Sequence, residues 1–401
     1  MKKRRYKLVN KSFFLILMSS SGVKGSECIN ALSFDSLCLQ SEITAEVKYD
    51  DNVFRSQRKR SSPVYILSPK FSTLFRKENN VYRLTFSAEK SDYSRFQSGS
   101  FFDYSLSGVI KHELNSRHRV NFKVSDELSH ELSHDVGSEN ESDNTLFPEY
   151  RQQSISGIYG FGSKKAEARI DFVYQMNTRN YSDEGFNDRQ VEDYGTTFYF
   201  QLMPDTDAVF EVSRRTLQYL DLDDTGYEIT SYLAGINWDF SVKTSLSLKL
   251  GRRFRTTDAS LAGKEGFTGW DTGFVYKPKT YSTFKLTAGQ NYGLDADEPQ
   301  SADFTRGRFI RFSWNHNWRA RLATRVGWSY SDDWVLNGAG TKLKQRDVYQ
   351  YSLGLFYELR RWLTLSLNWA YTVRREDSVT KGSEPEGYAR NRYAVTGKIS
   401  L

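Results

Sequence analysis

The segment His130-Glu131-Leu132-Ser133-His134 has the spacing at which two imidazoles hold a zinc ion and the glutamate between them serves as general base. That chemistry needs a helix, because only a 3.6-residue period stacks positions i and i+4 on one face. Here the motif continues an alternating stretch carrying Phe122 and Val124 and runs into hydrophilic residues 135–144, where no amphipathic pattern is visible. The other three histidines, His112, His118 and His316, show no spacing that supplies a third ligand. No catalytic zinc is expected, and a loop that binds a cation weakly is the better metal reading. Asp221, Asp223 and Gly226 begin like a calcium loop, but its twelfth position is Tyr232 where a bidentate glutamate belongs. A Ser and His pair on a lipid-facing wall would suit a lipid hydrolase. The two histidines expected on that wall, His112 and His316, fall beside short turns, at the wrong end for an outer-leaflet substrate. No catalytic residue, metal ligand or cofactor is therefore assigned, and the chain does not read as an enzyme.

The 401 residues carry 56 Lys and Arg against 49 Asp and Glu, a formal charge of +7. All of the excess is Lys2, Lys3, Arg4, Arg5, Lys7, Lys11 and Lys24, so from residue 26 onward the two signs balance. A nucleic-acid partner is excluded, since a binder of phosphate needs a net basic surface. Aromatic residues make up 15%, with 25 Tyr, 27 Phe and 8 Trp, too many for disorder. After the N-terminus no apolar run approaches the roughly 18 residues of a spanning helix. A long, aromatic-rich, polar β-protein is left.

Residues 1–25 read as a signal peptide: a basic start, the apolar run Phe13 to Met18, then small residues ending at Gly25. The alternative is a basic tail that is kept. Residues 26–41 show no clear period and read as a short periplasmic lead-in. Their cysteines, Cys28 and Cys38, enter an oxidising compartment, where a disulfide closing a small loop and two free thiols are both open.

From 42 to 401 apolar and polar residues alternate in stretches of about ten, separated in turn by short polar turns and longer polar loops. Leu246, Leu248 and Leu250 share one face while Ser247, Lys249, Gly251 and Arg253 share the other. Leu363, Leu365, Leu367, Trp369 and Tyr371 repeat the pattern. Hairpins recur at about forty residues, the length of two membrane strands and two connections. The expected fold is an all-β, single transmembrane antiparallel β-barrel of eighteen strands, with sixteen the rival count. Trp238, Tyr276, Trp314 and Tyr357 each precede a short turn, where an aromatic girdle meets the lipid head groups. A soluble β-sandwich is disfavoured, because strands this long and numerous would leave unprotected edges.

With the polar face inward, the basic candidates lining the lumen are Lys70, Arg83, Lys111, Lys123, Arg169, Arg215, Lys249, Arg253, Arg255, Lys285, Arg311, Arg325, Arg374, Arg392 and Lys398. Fewer acids alternate with them, among them Glu89, Glu127, Asp171 and Glu211, so the interior leans positive. Two consequences are open: a path for anionic solutes, or charges that pair across the lumen and merely hydrate it.

The end of the first expected strand, Tyr49-Asp50-Asp51-Asn52-Val53-Phe54-Arg55, resembles the outer-membrane β-barrel porin family found with exopolysaccharide and capsule operons. Members of that family likewise begin, after a signal peptide, with a strand closing in an aromatic-Asp-Asn-hydrophobic segment, and continue as hairpins to the C-terminus. The resemblance covers the mature chain and implies export of an exopolysaccharide or capsular polysaccharide across the outer membrane of a Gram-negative bacterium. Implied partners are outer-membrane lipid, the polysaccharide, periplasmic polysaccharide-export components and the β-barrel assembly machinery. Leu401 departs from the Phe or Trp that usually ends such barrels. The alternatives carried forward are a general porin for small anionic solutes and a lipid-modifying barrel enzyme.

Overall fold

Alternation at a period of two dictates strands with one apolar and one polar face, and such strands in lipid must pair on both sides. The computed structural model describes residues 32–34, 36–130, 148–163, 166–182, 188–220, 226–257, 265–294, 304–337, 340–378 and 386–401. The expected signal peptide 1–25, Cys28, and the segment 131–134 that follows His130 lie outside the described residues. The strands are β1 (Leu32–Phe34), β2 (Leu37–Asp50), β3 (Ser62–Lys77), β4 (Asn80–Tyr93), β5 (Phe101–Glu113), β6 (His118–His130), β7 (Glu149–Phe161), β8 (Ala168–Tyr181), β9 (Arg189–Met203), β10 (Thr206–Tyr219), β11 (Gly226–Ser241), β12 (Thr244–Thr257), β13 (Glu265–Lys279), β14 (Ser282–Leu294), β15 (Phe304–Arg319), β16 (Leu322–Leu336), β17 (Lys342–Arg360), β18 (Leu363–Ser378) and β19 (Glu386–Ser400).

Each of β2 to β19 pairs antiparallel with the next, and β19 returns to β2 in the register Arg392↔Asp50 to Ser400↔Glu42. The result is a closed ring of eighteen strands; the count of sixteen is not the one adopted. Where β19 ends, Leu401 exchanges backbone hydrogen bonds with Ser41 (3.0 and 2.8 Å), and β1 continues alongside β2 from there, Phe34 opposite Leu37. The stretch 26–41, expected to be an aperiodic lead-in, thus holds β1 and the start of β2. Its backbone is needed to cover an edge, a demand that side-chain periodicity does not reveal.

The outer face carries large, exposed apolar residues around the ring, including Val47 (52%), Leu250 (59%) and Val395 (57%), a surface that is stable only against lipid. The ring strands β2 to β19 run from 13 residues to 19, longer than the roughly 9 to 11 that cross a bilayer, so they project beyond the apolar band. Connections at one end are tight, such as Glu78-Asn79 and Arg361-Trp362; those at the other are longer.

The first and last barrel strands are joined by more than their ladder. Asp50, with no solvent exposure, takes Arg390 Nε on both oxygens (3.0 Å each) together with its Nη2. Asp51 accepts from the Asn391 backbone (2.6 Å), the Asn391 side chain (3.1 Å) and Lys59 (2.7 Å). Asn52 donates to the Ala389 carbonyl (3.2 Å) and bonds Ser56 in both directions (2.7 and 3.3 Å), which pins Arg55 at φ 51° and folds residues 51–61 into the lumen. There Val53 and Phe54 pack with Val64 and Tyr93 against Ile66, Phe96 and Phe101. The Tyr49–Arg55 motif is therefore a clasp at the closing seam.

Removing one partner of a buried pair strands the other charge, at a cost of about 3–5 kcal/mol. Arg390→Ala is expected to lower the urea midpoint of the refolded protein in micelles and to weaken its heat-resistant migration on gels; an unchanged midpoint rejects the clasp. Burial works to raise the Asp51 carboxyl, but hydrogen bonds from Lys59 and Asn391 outweigh it and hold the group below its ordinary value. A depressed carboxylate stabilises above its unfolded value and stops doing so as pH falls through the folded one. The stability gap between wild type and Asp51→Asn should accordingly be full at neutral pH and narrow as the solution is acidified past the usual carboxylate range.

Candidate functional site

Cross-strand partners share a face, so the pairing registers fix which residues point inward. All fifteen basic candidates lie on the face opposite the exposed apolar one, and the sequence's two open consequences divide among them. Seven pair with acids: Arg169 with Asp207 (2.6 Å), Arg215 with Asp193 (2.6 Å), Lys249 with Glu211 (2.6 Å), Arg253 with Asp271 (2.9 Å), Arg255 with Glu265 (3.5 Å), Arg374 with Glu376, and Lys398 with Glu42 (3.1 Å). Of these acids, only Glu211 was assigned to the lumen by alternation. All the others but Asp271, which lies within β13, stand at or near the end of an alternating stretch, where a carboxylate looks like a loop residue.

Two of these pairs, and one involving a further arginine, reach over an intervening strand. Arg119 on β6 crosses Gly160 on β7 to bond Asp171 on β8, and a Cβ at Gly160 would stand 2.4 Å from the guanidinium carbon. Arg169 on β8 likewise reaches Asp207 on β10 across the Tyr199 ring (4.2 Å to its centroid), and Lys249 on β12 reaches Glu211 on β10. From β8 to β13 the inward side chains are buried or half-buried, the buried ones including Arg179, Arg189, Val191, Val209, Leu217, Ile229, Leu233, Arg253 and Phe267. This half of the lumen is packed like an interior.

The other half is wet. Lys70, Lys111, Lys123, Arg311, Arg325, Gln350 and Ser352 point inward yet are exposed, so they face open lumen. Around them the wall is floored with Ser68, Ser87, Ser105, Ser107, Asn121, Ser125, Ser329 and Asn368. Lys70, Lys111, Lys285, Arg311, Arg325 and Arg392 make no ion pair among the described residues; Arg311 and Arg325 lie over the Phe309 and Phe356 rings (both 4.3 Å). Arg83 and Lys123 hold interactions of their own. Counted from the short turns, Lys111, Lys285 and Arg325 form a tier near the mouth, and Lys70, Arg311 and Arg392 a tier deeper in. Four to five residues of tilted strand separate the tiers by roughly 10–13 Å.

Toward the long-loop end the lumen narrows. On β15 and β16, Phe304, Thr305, Val335 and Leu336 are all buried, so both faces of this strand pair are covered where a barrel wall would cover at most one. Phe304 and Leu336 join Val191, Leu217, Tyr219, Tyr227 and Ile229 in one apolar cluster, although β15 is not a ladder neighbour of β9, β10 or β11. The end of β15 and β16 leans across the lumen and seats on the packed half, while residues 51–61 fill the far side of the same level.

Trp238, Tyr276, Trp314 and Tyr357 sit on the outward face near the short turns. Phe284 stacks between Tyr276 (6.2 Å) and Trp314 (5.9 Å), and the Trp314 indole donates to Ser282 (3.1 Å). His112 and His118, near the same end, bond the hydroxyls of Tyr82 (2.7 Å) and Tyr159 (2.6 Å). His130 ends a strand, stacks on Phe101 (4.8 Å) and meets Asp103 (2.7 Å); it does not belong to a helix. Among the described residues no group of three His, Cys, Asp or Glu is arranged to hold a metal ion. Cys38 is buried in β2 and disulfide-bonded, and Cys28, the chain's other cysteine, lies outside the described residues.

Residues 35–396 match the family model described as "Putative beta-barrel porin 2". No curated protein matches the sequence. Among solved structures, the FrpB iron transporter from Neisseria meningitidis (F3-3 variant) is similar at 9% identity, covering 93% of this chain and 83% of its own, with a TM-score of 0.50. OccK1 (OpdK) from Pseudomonas aeruginosa is similar at 11% identity, covering 90% of this chain and 99% of its own, also at 0.50. At such identities the likeness is one of fold.

Leu217→Ala and Phe304→Ala each remove a fully buried side chain from the cross-lumen cluster, at a cost of about 2–5 kcal/mol. Both are expected to raise the conductance of the refolded protein in a planar bilayer. A loss of stability with conductance unchanged would sink the closing role of the cluster.

Proposed function

The chain belongs to this β-barrel porin family, and on that premise we propose that it is an outer-membrane conduit of a Gram-negative bacterium, closed at rest, through which an acidic polysaccharide leaves the cell. The observation that carries the reading is the wet half of the lumen: a wall of small hydroxyl and amide side chains with two tiers of cations left unpaired by acids. Hydroxyls and amides give a sugar many weak, replaceable hydrogen bonds, and the cations draw an anionic chain inward without one tight site that would hold it. The packing of β15, β16 and residues 51–61 across the long-loop end suits a channel that must not leak between exports.

In this reading the short turns face the periplasm. Their exposed bases, Lys243, Lys277, Lys279, Arg319 and Arg321, offer a rim to acidic polymer and to periplasmic export components. The aromatic belt and apolar wall take the lipid, and the closing pair at Leu401 is what the assembly machinery would complete. A second reading, a porin for small anionic solutes, is favoured by one observation: the wet passage occupies only part of the ring.

Single-channel recording on the refolded Phe304→Ala variant, in which the cross-lumen closure is expected to be relieved, with polygalacturonate fragments or neutral dextran added from the short-turn side, separates the two. Export predicts block by the acidic polymer and little by dextran, relieved in Lys70→Gln and Lys111→Gln. Steady current indifferent to both polymers favours the solute porin.

A further inference from the structure

On the wet wall, one recess of about 250 Å³ is lined by Arg311, Ser329, Gln350, Ser352, Thr372 and Arg392. Two adjacent rows of the sheet build it. Along one row Arg311 faces Ser329, Ser329 faces Gln350 and Gln350 faces Thr372; along the next Gly327 faces Ser352, Ser352 faces Ala370 and Ala370 faces Arg392. The floor is thus small and polar, with one arginine at each end. Four strand spacings separate β15 from β19, about 19 Å along the sheet.

Neither charge is taken up by a carboxylate, although Arg311 lies over the Phe309 ring (4.3 Å). Neither arginine makes an ion pair or a side-chain hydrogen bond among the described residues, and no carboxylate lines the recess. The acid opposite Arg392 in the ladder, Asp50, is bound by Arg390. Asp333 acts on Arg311 through space without pairing with it. Elsewhere on the lumen wall arginines such as Arg253 and Arg374 meet a carboxylate; at this place the partner is missing and the space for it is present.

We propose that this recess is a subsite for one sugar-acid ring, its carboxylate on a guanidinium and its hydroxyls on Ser329, Ser352, Thr372 and Gln350. The inference rests on the reading of the lumen as a path for acidic carbohydrate and names the chemical group that path recognises. A planar guanidinium takes a carboxylate through two parallel hydrogen bonds, a match that a neutral sugar lacks. The same ring could arrive free or as a residue of a chain, so both forms belong in the test.

The full-length mature protein in detergent is titrated calorimetrically with glucuronate, with trigalacturonate and with glucose, a measurement that does not require an open channel. Glucuronate and trigalacturonate should bind, and glucose should be about 10- to 100-fold weaker, the loss expected for a charge-assisted hydrogen-bonded pair. Arg311→Gln and Arg392→Gln should each weaken glucuronate by a similar factor while retaining heat-resistant migration on gels. Binding of trigalacturonate alone would assign the subsite to the polymer; binding of both would assign it to the ring. Equal affinity for glucose and glucuronate, or glucuronate affinity untouched by either substitution, overturns the subsite. Polymer block that persists in both variants would remove the subsite and leave the export reading standing. Recess-dependent glucuronate binding without polymer block would do the reverse.

Discussion

A sheet in hydrocarbon can leave no backbone edge unpaired, because no water is present to satisfy it. Every other feature of this protein follows from meeting that demand at one place, the seam between β2 and β19, whose partners Asp50 and Arg392 stand at opposite ends of the sequence. Pairing so distant costs loop-closure entropy before any contact is gained. The seam is accordingly reinforced by side chains: Asp50 on Arg390, Asp51 on Asn391, Asn52 on Ala389. The same turn carries Val53 and Phe54 into the lumen, so closing the ring and narrowing it are one structural act.

Once closed, the ring has an interior that an ordinary core cannot fill, and its two halves solve this differently. From β8 to β13, long side chains span the curvature in ion pairs, some crossing an intervening strand, with glycine or a ring beneath them. Such pairs add little net stability, since desolvation offsets most of their attraction, but they fix geometry and keep the wall from deforming. On the wet side small hydroxyl residues hold the wall back and leave cations facing water. The charges are similar on the two sides; what differs is whether a carboxylate stands within reach. Paired bases act as struts, and unpaired ones are available to a ligand.

Much of the fold was legible in the residues. The alternation of Leu246, Leu248 and Leu250 against Ser247 and Lys249 sets strand, face and direction at once, because a period of two admits no other regular element. The turns and the count of eighteen come from the same signal. The start of β2 at Leu37 was not legible, since that stretch serves to cover backbone. The aromatic-Asp-Asn segment at Tyr49 stood out as a resemblance, and its physical work as a clasp needed the position of β19. His130 resembled a zinc ligand only as long as a helix was imagined for it.

The sequence by itself determined which side chains face lipid and which face the lumen, because that division depends on nothing beyond neighbouring residues along one strand. It could not determine which lumen charges neutralise each other. Arg253 and Arg311 look alike in the sequence, each a base on an inward face. Asp271 on the adjoining strand takes Arg253 out of play, while Arg311 meets no carboxylate and lines a recess. That difference depends on strand register and on the curvature of a closed ring, through which residues far apart in the chain, or two strands removed, come within a few ångströms. Only the tertiary structure decides it.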